Sequence, residues 1–213
     1  MAFHDHTENG ITVLQSDLLC GSIRHGFSTR TGGVSPSPWN SLNLGVGRGD
    51  DPAHVQENFR RLCGVLGLSH QRAVLSKQVH EDNIRLVTES DCGKGLFRQR
   101  DYDSVDAMIC REKHIPLVVF SADCGTILLY DPVQEAIGAV HAGWRGWPAV
   151  WPPRRCGGCR SPSARSRGIC WPPRGRPSGP AVSRRTMTCR RPCAGRWVRQ
   201  RSRTWCVGAK SGT

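Results

Sequence analysis

Apolar residues in the first two thirds of this chain follow two different periods. Between positions 50 and 67, Val55, Phe59, Leu62 and Leu66 recur three and four apart, which places them on one face of a helix. Asp50 is the expected N-cap, and Pro52 suits the first turn, where its missing N–H has no helical bond to lose. Further along, 115–121, 126–130 and 136–140 are short runs rich in Val, Ile and Leu, the last two parted by the turn-forming pair Asp131-Pro132. Runs of this length between turn residues predict adjacent strands. Cys124 then lies between two strands and His141 at the end of a third. Gly32-Gly33 and Pro36-Ser37-Pro38 mark a loop able to close over a site. The expected fold class is α/β (α+β): a single domain with a mixed β-sheet flanked by helices.

Composition changes abruptly after Gly146. Residues 1–146 hold all 17 acidic groups against 14 Lys and Arg, a net charge of −3, whereas 147–213 hold 16 basic residues and no acid. The overall charge of +13 therefore belongs to the tail. That tail contains 9 of the 14 Pro, 5 of the 7 Trp and 6 of the 11 Cys, but no Leu, Phe or Tyr, which no ordinary packed core omits together. It shows neither a 3.6 nor a 2 residue period, and WPPRR at 151–155 with WPPRG at 171–175 is its nearest approach to a repeat.

Three origins compete for 147–213. A nucleic-acid-binding extension would set Arg on phosphates and Trp against bases, with Cys156-x2-Cys159 and Cys189-x3-Cys193 holding zinc. A disordered basic tail is the plainer account. The favoured account is a change of reading frame near Gly146, because a GC-rich gene read out of frame exchanges Ala, Leu, Val, Asp and Glu for Arg, Pro, Cys, Trp and Ser. On that view 147–213 is not a packed continuation, the domain at 1–146 is incomplete at its C-terminal side, and nucleic acid is not expected as a partner despite the charge.

The remaining features of 1–146 point to an intracellular protein. MAFHDHTENG has no basic stretch followed by an apolar core, no run approaches the roughly 18 apolar residues of a membrane span, and the five Cys form no disulfide-like framework. A cytoplasmic location is expected. GxGxxG is absent, which argues against a dinucleotide fold.

The chemistry concentrates in KQVH at 77–80, SADC at 121–124 and HAGWRG at 141–146. Two imidazoles and a thiolate are the usual donor count of a catalytic zinc, which keeps a fourth position open. If His80, Cys124 and His141 form such a site, their donors must reach one point about 2.0–2.3 Å away, and no pair should be more than about 8 Å apart. Asp123 would orient a ligating His, shuttle protons or merely cap a turn. Arg30 and Arg145 would bind phosphate or stay solvated, and Asn43 would touch a ribose or make a turn. A cysteine hydrolase, with Cys124 as nucleophile, a His as base and Asp123 as orienter, needs no metal and stays open beside the zinc site. So does a non-enzymatic binding module with a decayed site.

These strings, together with GFSTRTGGVS at 26–35, SLNLG at 41–45, DDPAHVQENFRRL and DAMI at 106–109, resemble the multicopper polyphenol oxidase or laccase-like family. Its bacterial members are also described as purine nucleoside phosphorylases and peptidoglycan editing factors. The match covers about 22–146. The resemblance implies a His, Cys, His metal site at His80, Cys124 and His141, with zinc as the expected metal and copper the alternative. It further implies phosphorolysis of adenosine, inosine or methylthioadenosine, with adenosine deamination beside it, so that nucleoside and phosphate are the expected partners. Copper oxidation follows only from the family name, since the chain lacks the several His-x-His pairs of a multicopper centre.

Overall fold

The computed structural model describes residues 3–142, 196–200 and 205–210. The helical period at 50–67 is realised as α1 (Pro52–Val65). Its cap is Asp51, whose carboxylate accepts from the Ala53 N–H at 2.8 Å, and not the expected Asp50. Asp50 is drawn inward, accepting from Ser35 Oγ at 2.6 Å, Asn43 Nδ2 at 2.8 Å and the Asp51 N–H at 2.8 Å. An acid one position further from the helix thus serves the preceding loop.

Strands β1 (Phe3–Glu8), β2 (Ile11–Ser16), β3 (Ile23–Ser28), β4 (Val74–Leu75) and β5 (Ile84–Val87) come from segments with little period-2 signal. The expected strands appear as β7 (Leu117–Phe120), β8 (Gly125–Asp131) and β9 (Ala136–Ala142), preceded by β6 (Ala107–Cys110). They form two mixed sheets and not one. The first runs β1-β2-β3-β11-β7-β4 and the second β10-β8-β9-β6-β5, where β10 is Arg196–Gln200 and β11 is Trp205–Lys210. Among the described strands only the β4·β7 and β5·β6 pairs are parallel.

Side-chain alternation builds three layers from these elements. Phe27, Leu117 and Val119 of the first sheet meet Met108, Cys110, Leu128, Ile137 and Ala139 of the second in one buried cluster. On the other face of the first sheet, Val13, Leu75 and Val118 pack against Val55, Phe59, Leu62 and Leu66 of α1. Gly26 of β3 leaves room for Leu66, the residue that follows α1: a Cβ there would meet Leu66 Cδ2 at 3.1 Å. Among the described residues α1 is the one α-helix, so helices flank a single face.

The expectation for the tail meets a difference here. Most of 147–213 lies outside the described residues, yet β10 pairs antiparallel with β8, and β11 pairs antiparallel with both β3 and β7. Strand edges carry rows of unpaired N–H and C=O groups that will accept any chain able to extend beside them. Main-chain pairing asks little of the side chains, and RWVRQ and WCVGAK bring together Trp and Val, which favour strands.

Candidate metal centre

Two connections and one strand end lie close together, and each delivers one donor. After β4 the main chain turns away at Ser76 and reaches His80; after β7 it reaches Cys124 one residue before β8; and His141 is the penultimate residue of β9. The ligand atoms of His80, Cys124 and His141 all lie within 4.8 Å of one another, well inside the limit set from sequence. His80 Nε2 is 3.6 Å from Cys124 Sγ, close to the roughly 3.5 Å that a tetrahedral zinc with 2.0–2.3 Å bonds imposes between N and S donors. The two imidazoles meet edge to face, centroids 4.8 Å apart. Accessibility is graded, with His141 buried, Cys124 half-buried and His80 reachable from solvent. A soft sulfur and two nitrogens at this spacing fit zinc or copper.

Asp106, at the start of β6, organises the cluster, although no function was read for it from sequence beyond its place in DAMI. Its carboxylate is buried. Oδ1 accepts from His141 Nδ1 at 2.7 Å and from the His80 N–H at 3.0 Å; Oδ2 accepts from the Val79 N–H at 3.0 Å and the Glu81 N–H at 3.1 Å. Burial alone would raise this carboxyl, but the His141 ring and the three backbone N–H groups outweigh it and hold the group below the usual carboxylate range. A carboxylate on Nδ1 keeps the proton there and leaves His141 Nε2 free as a donor. The same bonds fix His80, whose φ of 68° is in the left-handed region that a side chain adopts only when its surroundings hold it there.

The other residues picked out from sequence stand in different places. Asp123 is exposed in the turn between β7 and β8, and the carboxylate that orients His141 is Asp106. Cys124 is positioned through its carbonyl, which accepts from Ser121 Oγ. Asn43 makes a turn: its Oδ1 accepts from the Gly45 N–H at 3.0 Å while its amide donates to Asp50. The Arg30 side chain is exposed, and its carbonyl accepts the Ser41 and Leu42 N–H groups. Arg145 lies outside the described residues. The 32–38 loop is pinned to α1, since buried Asn58 accepts the Val34 N–H at 2.8 Å and donates to Ser35 Oγ and the Asn43 carbonyl.

Residues 24–150 match the model of the family described as multi-copper polyphenol oxidoreductase laccase. The chain belongs to that family. A Bacillus subtilis protein named purine nucleoside phosphorylase YlmD is 36% identical over 125 residues, 57% of this chain and 44% of its own length. A Corynebacterium glutamicum purine nucleoside phosphorylase is 38% identical over 125 residues, 58% of this chain and 48% of its own. The crystal structure of YlmD from Geobacillus stearothermophilus superposes with a TM-score of 0.59 at 34% identity, covering 68% of this chain and 53% of that one. The chain thus spans about half the length of the relatives it matches. Among the described residues no helix is long and apolar enough to cross a membrane.

Proposed function

We propose that this chain carries the metal centre of a purine nucleoside phosphorylase acting on adenosine, inosine or methylthioadenosine, with deamination of adenosine as a second activity. The observation that supports this most is the convergence of His80, Cys124 and His141 donors within 4.8 Å, backed by Asp106, in a family member whose relatives bear that name. A zinc ion held by these three side chains would supply Lewis acidity toward a bound substrate or water. Cys124 serves as a thiolate ligand, His141 donates its Nδ1 proton to Asp106 throughout, and His80 closes the site on its solvent side. Asp123, exposed beside Cys124, is the candidate proton shuttle. Arg30 and Arg145 are the candidates for phosphate, whose oxygens suit the guanidinium fork, and Asn43 is the candidate for the ribose.

The protein is proposed to work in the cytoplasm on small molecules, with no membrane or nucleic acid partner. For 147–213 we propose the change of frame, so that turnover belongs to a version continued in frame after Gly146 and is impaired in this chain. The test is release of purine base from adenosine or inosine by phosphate, in this chain and in the continued version, with zinc content measured alongside. Cys124→Ala should abolish both base release and zinc retention in the continued version; turnover with stoichiometric zinc in that variant refutes the assignment. The 3.6 Å Cys124–His80 contact also suits a thiol nucleophile and its base. Activity that survives EDTA and complete zinc removal would favour that cysteine hydrolase reading.

A further inference from the structure

The parallel ladder between β4 and β7 sets Val74 beside Leu117 and Leu75 beside Val118, and the Ser76 N–H still donates to the Val118 carbonyl at 3.0 Å. The next main-chain partners of β7 would be the N–H and C=O of Phe120. The main chain of 77–80 does not supply them. A side chain does: Gln78 Nε2 donates to the Phe120 carbonyl at 2.7 Å, and Gln78 Oε1 accepts the Phe120 N–H at 2.6 Å. These two bonds fix which end of the amide is oxygen, since a backbone N–H only donates and a carbonyl only accepts, and Ser76 Oγ donates to the same Oε1 at 2.6 Å. One amide side chain thus replaces a strand residue in the ladder. The main chain it releases crosses to the second sheet, where the Lys77 carbonyl accepts the Val105 N–H at 2.8 Å and the Asp106 carboxylate collects 79–81.

From this we infer that Gln78 is a positioning residue for the metal centre: it ties the His80 loop to the end of β7, four residues before Cys124, and so sets the His80 to Cys124 separation across the junction of the two sheets. The inference rests on the metal-site reading above. Asp106 and the Lys77–Val105 bond fix the loop on the side of β6 and His141, in the second sheet. Cys124 follows from the first sheet, and among the described residues the Gln78 amide is the side chain from the His80 loop that bonds to β7. Without it, the site keeps its three ligands but loses their preset spacing, and partners that orient ligands in this way typically change metal affinity by about 10–100-fold.

The test is cobalt(II) binding to the full 213-residue chain, read by visible absorption. The thiolate-to-cobalt charge-transfer band reports the Cys124 bond, and the ligand-field bands report tetrahedral geometry. Native protein should show both bands at one equivalent. Gln78→Met, similar in length but without the amide, should bind cobalt about 10–100-fold more weakly, with a diminished thiolate band. Gln78→Glu keeps the acceptor for Phe120 N–H and Ser76 Oγ and should recover part of the thiolate band. A loss of global stability alone would lower the melting temperature and leave the bands of the folded fraction unchanged, so the spectrum separates positioning from simple structural support. Native bands and affinity in folded Gln78→Met overturn the inference while leaving the metal site standing. Absence of a thiolate band in the native chain overturns the metal-site reading and this inference with it. Should Gln78→Met fail to fold, Gln78→Glu carries the test: its carboxylate cannot donate to the Phe120 carbonyl, so the folded variant should bind cobalt more weakly than the native chain, and native affinity there overturns the inference.

Discussion

Replacing Asp106 by Asn removes one charge and one acceptor position from a buried group that uses both of its oxygens twice. The two orientations of the new amide fail differently. With its NH2 at the Oδ2 position, the Val79 and Glu81 N–H groups, 3.0 and 3.1 Å away, face another donor. Two backbone donors left without acceptors at about 1–3 kcal/mol each, partly relieved by water at this accessible loop, amount to about 2–4 kcal/mol. With its NH2 at the Oδ1 position, the His80 N–H loses its acceptor, and His141 Nδ1 can pair only by becoming the acceptor itself. The His141 proton then moves to Nε2, the nitrogen needed by a metal. Either outcome weakens zinc binding, by about 10–100-fold on the general effect of such partners. Urea denaturation gives the stability change and competition with a chromophoric chelator gives the affinity. The acid limb supplies a further signature. Because the folded carboxyl is held below its unfolded value, its stabilisation is complete above the ordinary carboxylate range and disappears as pH falls through the depressed folded value; the Asn variant must lack that limb. A variant within about 0.5 kcal/mol of the native protein, with unchanged zinc affinity, would refute the role given to Asp106.

His80→Gly should be more stable than His80→Ala by about 1 kcal/mol, since only the glycine adopts φ 68° without penalty, and paired thermal melts will show the order. Asp91 is buried against Arg85 and Lys94, at 2.7 Å each. Burial opposes its ionisation, but those cations and the Thr88 N–H prevail and hold it at about 2, so its contribution is intact above the usual carboxylate range and lost only as pH falls toward that value. Titration of its carboxyl resonance checks this, and a midpoint near 4 would contradict it. Truncation after residue 195 removes β10 and β11; amide hydrogen exchange should then lose protection in β3, β7 and β8 together, and unchanged protection in β3 and β7 would show that β11 does not join them in solution.

The sequence was most legible where local pattern and tertiary role coincide. α1 buries the face its period predicts, because Val55, Phe59 and Leu62 meet an apolar sheet face and nothing else competes for them. β8 and β9 were readable because both of their faces are buried, which writes a continuous apolar run into the chain. β1, by contrast, is FHDHTE on an exposed edge, and β3 carries Gly26 where Leu66 packs close to it, so neither displays the pattern of a strand. The three donors were found through residue identities and flanking strings. Asp106 was missed as a functional group because its role is defined by what folds against it: three consecutive N–H groups from 79–81 and a ring from β9. An Asp ahead of a strand carries no mark of that in one dimension. Asp50 and Asp51 were exchanged for a similar reason, since adjacent acids are equivalent to a helix until Ser35 and Asn43 claim one of them.

The tail brings the two levels into conflict. Its composition offers no Leu, Phe or Tyr with which to fill a core, yet β11 lies between β3 and β7 and ties the β1-β2-β3 meander to β7 and β4. The conflict dissolves once pairing and packing are separated. A ladder is built from main-chain groups, which every residue except Pro supplies in full, so an open pair of edges selects mainly for a stretch free of Pro and able to extend. RWVRQ and WCVGAK are two such stretches in a tail otherwise crowded with Pro. Packing is more demanding, because it requires apolar volume at alternate positions, and 147–213 supplies that mostly in scattered Trp, Val, Cys and Ala with a single Ile and a single Met. The place for a central strand between β3 and β7 is therefore a property of the fold of 3–142 itself, and a segment that fills it completely has to supply both a strand and side chains that pack on its two faces.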